Sequence, residues 1–236
     1  MTTTLITGGN KGLGFETARQ LVAAGHTVYL SSRDAELGRR AAAQIGARTV
    51  QLDVTQDESV AAAASALEAD GGLDVLVNNA GIAPEWGPDN AVVGAADLTV
   101  DLMRETFETN VFGVVRVLGA FLPLLQRSSC PVVVNVSSGL ASIARAAAAE
   151  ASSRAYSGVA YPASKAAVNM ITVRYAKAFP GVRINAVEPG FTATDLNGNN
   201  GRQTVEEGAV VIARMAQLGP DGPTGGYFSA EGRLPW

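Results

Sequence analysis

A tyrosine and a lysine four positions apart, Tyr161 and Lys165, are the side chains of this sequence best suited to proton transfer. They fall in a predicted helix, where residues i and i+4 share one face. A free tyrosine has a pKa of about 10, but a nearby ammonium favours the phenolate and lowers that pKa. Such a pair could give a proton to a carbonyl oxygen or take one from an alcohol. Because Tyr-x-x-x-Lys also occurs by chance, the pair carries weight only together with other motifs.

A glycine-rich turn lies near the start of the chain, directly after an apolar strand pattern and before a helical one. Its glycines let the backbone turn sharply and approach a pyrophosphate, and the following helix offers free N–H groups and its positive dipole end. A plain turn does not need three glycines at this spacing. The pattern therefore predicts a dinucleotide site, with contacts from Gly8, Asn10, Lys11, Gly12, Leu13 and Gly14.

The end of the second predicted strand indicates which dinucleotide is bound. Enzymes that use NAD usually carry an acid here to bind the ribose 2′-hydroxyl, whereas this chain has Ser32 followed by Arg33. Arg33 and Lys11 together would favour a 2′-phosphate, which the arginine fork can bind. We therefore predict NADP(H), with NAD(H) as the less favoured cofactor. Asp34 keeps the alternative open, since a register shift of two residues would let it bind the ribose.

Short apolar runs alternate with longer helical patterns, which is typical of βαβ units and a mostly parallel sheet. Right-handed crossovers then place helices on both faces. The sequence thus predicts an α/β fold, a single Rossmann-like domain over residues 1–236 with a doubly wound sheet of seven strands. The predicted strands are 4–7, 27–31, 49–53, 75–78, 132–136, 183–187 and 226–228. The predicted helices are 14–24, 34–45, 57–69, 101–125, 160–178 and 204–217.

Composition and charge argue against several other classes of protein. The net charge of −4 gives no basic face for nucleic acid. No run of about 18 uncharged apolar residues is present to span a membrane, and the start lacks the features of a signal peptide, so we expect a cytoplasmic protein. Cys130 is the only cysteine, which leaves no intramolecular disulfide and no cysteine-based zinc site. His26, the only histidine, lies in a predicted turn, and we predict no metal site.

Two further polar residues accompany Tyr161 and Lys165. Ser138 follows a predicted strand, and Asn110 lies inside a predicted helix, where asparagine is unfavourable without a specific reason. These four residues and the glycine spacing Thr-Gly-x-x-x-Gly-x-Gly resemble the short-chain dehydrogenase/reductase family. The resemblance implies that Ser138 polarises a substrate carbonyl, that Lys165 binds the nicotinamide ribose, and that Asn110 holds a water beside Lys165. An alignment error of one residue would put Ser137 in the place of Ser138.

The resemblance covers nearly the whole chain and implies further cofactor contacts. Asp53 and Val54 correspond to the family's adenine-binding position, and 78–81 match its Asn-Asn-Ala-Gly motif. The segment 189–195 corresponds to the one that closes over the nicotinamide. The cofactor contacts expected beyond the glycine turn are Ser32, Arg33, Asp53, Val54, Asn79, Ala80, Gly81, Tyr161, Lys165, Pro189, Gly190, Thr192 and Thr194.

Within this family the sequence is most similar to the carbonyl-reductase-like branch, which includes menthone and salutaridine reductases. The similarity rests on the segments 7–12, 32–34, 204–209 and 225–228. It implies NADPH-dependent reduction of a small lipophilic ketone or aldehyde, or oxidation of a secondary alcohol. The alternatives are a 3-oxoacyl-carrier-protein reductase and, in a different class, a non-catalytic NADP-sensing regulator. Such a regulator usually lacks the Tyr-x-x-x-Lys pair that this chain retains.

We expect a mostly apolar substrate pocket, formed by the loop after Gly81 and by the segments 139–160 and 191–202. Its candidate lining residues are Ile82, Pro84, Trp86, Tyr156 and Phe191, although ordinary packing would explain Trp86 and Phe191 equally well. The insertion that leaves many relatives in this branch monomeric is much shorter here. The sequence thus leaves a monomer and a homodimer open, with helices 101–125 and 160–178 as the candidate dimer surface.

Overall fold

The computed structural model describes residues 2–87, 91–148 and 156–236. Within these ranges the strands are β1 (Thr3–Ile6), β2 (Thr27–Ser32), β3 (Arg48–Gln51), β4 (Val75–Asn78), β5 (Val132–Val136), β6 (Arg183–Val187), β7 (Tyr227–Ser229) and β8 (Gly232–Arg233). They form one sheet in the order β3-β2-β1-β4-β5-β6-β7-β8. The strands β1 to β7 are parallel, and β8 pairs antiparallel with β7. The α/β, mostly parallel architecture is thus confirmed.

Two details of the predicted sheet were wrong. The sheet has eight strands rather than seven, because β8 has two residues and is too short to give an alternating pattern. The third strand ends at Gln51 rather than at 53. Beyond it the Asp53 carboxylate accepts hydrogen bonds from the Thr55 backbone N–H and hydroxyl, at 2.9 and 2.7 Å. Such a local bond offers the backbone an alternative to the strand ladder, and it ends the strand early.

The helices are α1 (Gly12–Ala23), α2 (Ala35–Ile45), α3 (Asp57–Ala69), α4 (Val100–Phe107), α5 (Gly113–Leu125), α6 (Ile143–Ala147), α7 (Ala160–Ala178) and α8 (Val205–Ala216). Two of the predicted helix starts are cap residues. The Asp34 carboxylate accepts from the N–H groups of Glu36 and Leu37. Thr204 forms a reciprocal capping box with Glu207. Each cap residue has extended backbone, so the helix itself begins one position later.

The predicted helix 101–125 is helical throughout, but it is not one uniform α-helix. A π-helical turn, Glu108–Phe112, separates α4 from α5. Such single-turn π segments insert a residue into the helix and often lie at functional sites. Here the turn contains Asn110, which is fully buried.

The sheet order reverses between β1 and β4. From β1 the chain proceeds to β2 and β3 on one side, and from β4 it proceeds to β5, β6 and β7 on the other. In doubly wound sheets, ligands bind outside the carboxyl ends of the strands at this point. The glycine turn follows β1 and the Asn-Asn-Ala-Gly motif follows β4, so both meet at this crevice.

Two apolar cores lie on opposite faces of the sheet. Leu76 of β4 packs with residues of α3, α5 and α7, while its neighbours Val75 and Val77 pack with residues of α1, α2 and α8. Alternate residues of each strand point to opposite faces, and a strand covered on both faces is continuously apolar. This explains why the central strands could be predicted from short apolar runs.

Among the described residues, one helical stretch, Val100–Leu125, is long and apolar enough to cross a membrane by length and composition. Its residues Val117, Leu118 and Phe121 are fully buried in the core of the molecule, so the stretch is accounted for as a core helix. The same stretch and α7 expose Phe112 and Met170. Residues 149–155, part of the short insertion before Tyr161, lie outside the described residues, and the choice between monomer and homodimer stays open.

Candidate active site

The glycine turn after β1 has a backbone conformation and a close packing that residues with side chains would not allow. Gly8 and Gly12 have φ angles of +64° and +56°, which residues with side chains rarely adopt. A Cβ atom at Gly14 would lie 2.4 Å from the Asn79 Nδ2 and 2.5 Å from the Gly8 carbonyl oxygen. The N-cap residue of α1, Lys11, makes no side-chain cap. The first N–H groups of α1 can therefore bind an anion such as a pyrophosphate.

The Asn-Asn-Ala-Gly motif is hydrogen-bonded to this turn. The Asn79 Nδ2 donates to the carbonyl oxygens of Thr7 and Gly8, at 2.9 and 3.0 Å. The Thr7 hydroxyl oxygen accepts from the backbone N–H groups of Asn79 and Ala80, at 2.9 and 3.0 Å. Thr7 is a positioning residue that the sequence did not assign, although it is the first residue of the glycine fingerprint.

The end of β2 carries the residues expected to choose the cofactor. Ser32 is the last residue of β2 and is buried, whereas Arg33 is exposed. Asp34 caps α2, with its Oδ1 accepting from the N–H groups of Glu36 and Leu37 at 2.9 and 3.0 Å. Asp34 therefore has a structural role as a helix cap, through one oxygen of its carboxylate.

Lys11 has a partner that the sequence did not indicate. Its ammonium lies 2.7 Å from the carboxylate of Asp195, and both side chains are about two-thirds exposed. The hydrogen bond and the charge of Lys11 hold the pKa of Asp195 below its usual range. This ion pair joins the glycine turn to the segment after β6, across the carboxyl edge of the sheet.

Tyr161 and Lys165 lie in the first turns of α7. The Lys165 ammonium is buried, donates to the Val136 carbonyl oxygen at 2.9 Å, and lies 5.7 Å from the centroid of the Tyr161 ring. Val136 is the last residue of β5. The hydrogen bond therefore fixes the catalytic helix against the strand that leads to Ser138.

The structure distinguishes Ser138 from its neighbour. The Ser137 hydroxyl is buried and donates to the Asn169 Oδ1 at 2.7 Å, so it joins β5 to α7. Ser138 is half-buried, and a side-chain hydrogen bond with Tyr161 lowers the pKa of that phenol. Ser138 rather than Ser137 thus faces the Tyr161 phenol in the structure.

Asn110 reaches from the π-helical turn into the same region. Its Oδ1 accepts from the Ile82 N–H at 2.8 Å, and its Nδ2 donates to the Ile82 carbonyl oxygen at 2.9 Å and to the Ser164 hydroxyl at 3.0 Å. A Cβ atom at Gly81 would lie 3.3 Å from both the Asn110 Oδ1 and the Lys165 Nζ. The four predicted catalytic residues are thus gathered around one site.

Burial dominates the electrostatics of the pair that could transfer protons. It raises the pKa of Tyr161 to about 12; the hydrogen bond with Ser138 opposes this rise, and the charges of Glu188 and Glu85 add to it. Burial also lowers the pKa of Lys165 to about 8. The expectation that the ammonium would leave Tyr161 with a lowered pKa was therefore wrong for this structure. Tyr161 is a phenol at neutral pH, ready to donate its proton.

The segment after β6 is ordered by side chains that the sequence did not single out. The Gly190 N–H donates to the Glu188 carboxylate at 3.0 Å, and burial raises the pKa of Glu188. The Gln203 Nε2 donates to the Pro189 carbonyl oxygen and, at 2.9 Å, to the Thr192 hydroxyl. Gly190 has φ +86°, and a Cβ atom there would overlap the Gln203 amide. These contacts fix the segment predicted to close over the nicotinamide.

The expected pocket residues include three aromatic side chains that lie together. The Trp86 ring centroid is 5.5 Å from that of Tyr156 and 6.3 Å from that of Phe191. Phe191 keeps 45% of its surface exposed, and burial, followed by the hydrogen bond with Glu85, raises the pKa of Tyr156. The three rings form an apolar wall beside the proton donor, built from three separate segments of the chain.

Known proteins share both the sequence and the structure of this chain. A family model described as short chain dehydrogenase matches residues 2–205. The short-chain dehydrogenase anuI of Penicillium roqueforti is 39% identical over 229 residues, which cover 91% of this chain and 88% of that protein. The solved structure of salutaridine reductase from Papaver somniferum has a TM-score of 0.82 and 29% identity, and covers 98% of this chain and 100% of that one.

A second solved structure, an NADPH-bound carbonyl reductase from chicken fatty liver, has a TM-score of 0.83 and 27% identity. The match covers 100% of this chain and 99% of that one. The family match, these likenesses and the arrangement of Asn110, Ser138, Tyr161 and Lys165 agree. The chain therefore belongs to the short-chain dehydrogenase/reductase family of oxidoreductases and resembles that family's carbonyl-reductase-like members.

Proposed function

We propose that this protein is an NADP(H)-dependent carbonyl reductase that acts on small lipophilic ketones or aldehydes, and on secondary alcohols in the reverse direction. The observation that carries the proposal is the group formed by Ser138, Tyr161 and Lys165, in which Ser138 hydrogen-bonds the Tyr161 phenol and the Lys165 ammonium lies 5.7 Å from the centroid of its ring. A protonated phenol beside a hydroxyl can donate to a carbonyl oxygen as negative charge develops on it.

The residues divide the work of carbonyl reduction among them. Ser138 would hydrogen-bond the substrate oxygen, and Tyr161 would deliver a proton to that atom. Lys165 would bind the nicotinamide ribose, and Asn110 orders the backbone beside it. A nicotinamide cofactor, when bound, would supply the hydride. The open space at Gly12, where a Cβ atom would meet Thr194 at 3.7 Å, and the uncapped start of α1 with its N–H donors fit its pyrophosphate.

Several observations support NADP(H) over NAD(H). Arg33 is exposed at the end of β2, where a 2′-phosphate would lie, and the only neighbouring acid of that turn, Asp34, is used as a helix cap. An arginine can bind a phosphate through two parallel hydrogen bonds. The similar chicken carbonyl reductase was solved with NADPH bound.

The aromatic wall supports a lipophilic substrate. The rings of Trp86, Tyr156 and Phe191 offer apolar faces next to Tyr161, and pockets lined in this way bind ligands mainly by burying apolar surface. The similar proteins include a salutaridine reductase, whose name states a reduction. A neutral cyclic or aromatic ketone is therefore the substrate class that we propose.

The test is consumption of NADPH, followed by its absorbance, with a panel of aldehydes, ketones, diketones, quinones and an acyl thioester. NADH and the variants Tyr161→Phe and Tyr175→Phe are run in parallel. Tyr175 lies on the same helix and packs against Phe179, so it controls for loss of a phenol from α7. We expect wild type and Tyr175→Phe to reduce cyclic or aromatic ketones, and Tyr161→Phe to lose roughly 10²–10⁴-fold in kcat.

Other outcomes would favour the two alternatives. Turnover of the acyl thioester alone would favour a 3-oxoacyl-carrier-protein reductase. Tight NADPH binding by calorimetry, without consumption on any member of the panel, would favour a non-catalytic NADP-sensing protein. Equal activity of Tyr161→Phe and wild type would contradict the assignment of the proton donor.

A further inference from the structure

Glu85 is an acid with no exposed surface, in the loop that follows the Asn-Asn-Ala-Gly motif. Its carboxylate receives three hydrogen bonds. The Ala160 N–H donates to Oε2 at 2.7 Å, the Tyr161 N–H donates to Oε1 at 3.1 Å, and the Tyr156 hydroxyl donates to Oε1 at 2.7 Å. All three groups are donors, which suits a carboxylate because it only accepts. Two of the donors belong to the first turn of the catalytic helix.

These bonds satisfy the start of α7 without help from its own cap residue. Val159 occupies the N-cap position and makes no side-chain cap, and the first turn contains no acid. Pro162 has no N–H, and the Ala163 N–H bonds to the Val159 carbonyl oxygen at 3.0 Å. The N–H groups of the first turn that need a partner are thus those of the two residues before Pro162, and Glu85 accepts from both. An asparagine, aspartate, serine or threonine usually does this locally.

Space for the carboxylate comes from a glycine. A Cβ atom at Gly158 would lie 2.5 Å from the Glu85 Oε1 and 2.7 Å from the Tyr156 ring. The third donor, Tyr156, belongs to the aromatic wall with Trp86. Glu85 therefore joins three parts of the site: the loop from β4, the wall and the helix that carries Tyr161.

We propose that Glu85 is a positioning residue for catalysis, a distant helix cap that fixes the backbone of Tyr161 and sets the charge beside its phenol. A negative group at a helix start is stabilised by the helix dipole. Displacement of Glu85 would move the proton donor, Tyr161. A 1 Å misplacement of a catalytic group can cost on the order of 10²-fold in rate. The proposal rests on the proposed reductase function, because turnover is its first readout.

The negative charge of Glu85 should also affect the titration of Tyr161, which an uncharged helix cap would not do. The ionisable and polar groups that act on Tyr161 are Ser138, Glu188, Glu85, Lys165, Tyr156 and Tyr227. Of the two acids in this set, Glu85 bonds directly to the Tyr161 backbone. Removing its charge should lower the pKa of the phenol, so alcohol oxidation, which needs the phenolate as proton acceptor, should gain rate at lower pH.

The experiment compares Glu85→Gln, Glu85→Ala and the control Glu16→Gln. Glu16 is also buried and hydrogen-bonded, but its partners are Arg19 and Gln20 of α1. Glu85→Gln keeps the shape and one acceptor oxygen, so it should fold even where Glu85→Ala does not. Three quantities are measured: kcat/KM against pH in both directions, the melting temperature, and the hydrogen exchange of the amides at 160 and 161 by NMR.

We expect Glu85→Gln to shift the pH profile of alcohol oxidation to lower pH, to lower kcat/KM in both directions, and to speed exchange at the two amides by about tenfold or more. Glu85→Ala should lose on the order of 10²-fold in kcat/KM, and Glu16→Gln should change none of these. Unshifted profiles with wild-type exchange in both Glu85 variants would overturn the proposal. A loss of kcat/KM that is the same at every pH, with faster amide exchange and an unshifted pH profile, would overturn the role of the Glu85 charge. The role of Glu85 as a helix cap would stand. If wild type turns over no substrate, the proposed function fails, and amide exchange still decides whether Glu85 caps α7.

Discussion

Replacing Asn110 by alanine removes the hydrogen bonds that hold both the N–H and the carbonyl oxygen of one backbone residue, Ile82. Asn110 is fully buried, and it pairs with the N–H and the carbonyl oxygen of Ile82 and with the Ser164 hydroxyl. A buried group left unpaired costs about 1–3 kcal/mol, and water can reach the half-buried Ile82, so the free energy of unfolding should fall by roughly 2–4 kcal/mol. For a chain of this size, that lowers the melting temperature by roughly 4–16 °C.

Asn185 offers a matched control. It is also fully buried, its Nδ2 donates to the Pro223 carbonyl oxygen at 2.7 Å, and its Oδ1 accepts from the Gly226 N–H at 3.0 Å. Asn185 therefore also holds a backbone N–H and a backbone carbonyl oxygen, but these belong to the segment that leads into β7. Asn110 instead holds the loop beside Lys165, and its partner Ser164 donates to the Tyr161 carbonyl oxygen at 2.7 Å.

The assay measures the melting temperature of both variants by circular dichroism and kcat/KM for ketone reduction well below either transition. Both variants should lose similar stability. Only Asn110→Ala should also lose on the order of 10²-fold in kcat/KM, because the loop that it releases borders the reactive groups. The reasoning would be refuted by equal activity losses in the two variants, since Asn110 would then act through stability alone.

Three further results are expected. Arg33→Ala should lower kcat/KM with NADPH by roughly 10–150-fold, because hydrogen bonds to charged groups contribute about 1.5–3 kcal/mol. It should leave kcat/KM with NADH unchanged. Arg39→Ala, an exposed change on α2, is the control. Asp195→Asn should raise NADPH affinity, measured by calorimetry, by up to about fivefold, since an exposed pair contributes at most about 1 kcal/mol and its loss frees Lys11; weaker binding would contradict this. Reduction should slow as pH rises through about 8, where the buried Lys165 ammonium loses its proton, and a flat kcat/KM profile there would count against that role.

The parts of the fold that could be predicted are those with local causes. The strands β4, β5 and β6 match their predicted bounds because continuous apolar runs mark strands buried on both faces. The π-helical turn at Glu108–Phe112 left no such mark, since its apolar spacing is close to that of an ordinary helix. It did leave one local signal, the unfavourable Asn110 inside a helical pattern.

The candidate site divides in the same way. Tyr161 and Lys165 could be found because four positions of sequence suffice to place them on one face. Glu85 contacts the catalytic helix from 75 positions away, and Lys11 meets Asp195 across 184 positions. Such contacts follow from the assembled sheet rather than from any spacing. The local signals for Glu85 were indirect. The side chain of Val159, at the N-cap, has no hydrogen-bond acceptor, and Gly158 leaves space for a side chain from elsewhere.

The pKa of Tyr161 shows why the chemistry needs the folded protein as well as the motif. A lysine one turn away predicts an easier ionisation, but in the structure burial, together with the acids Glu188 and Glu85, raises the pKa of Tyr161. A phenol that keeps its proton can donate it to a developing alkoxide. The same burial lowers the pKa of Lys165 to about 8, so the titration of both residues of the motif depends on the folded protein and not on their spacing alone.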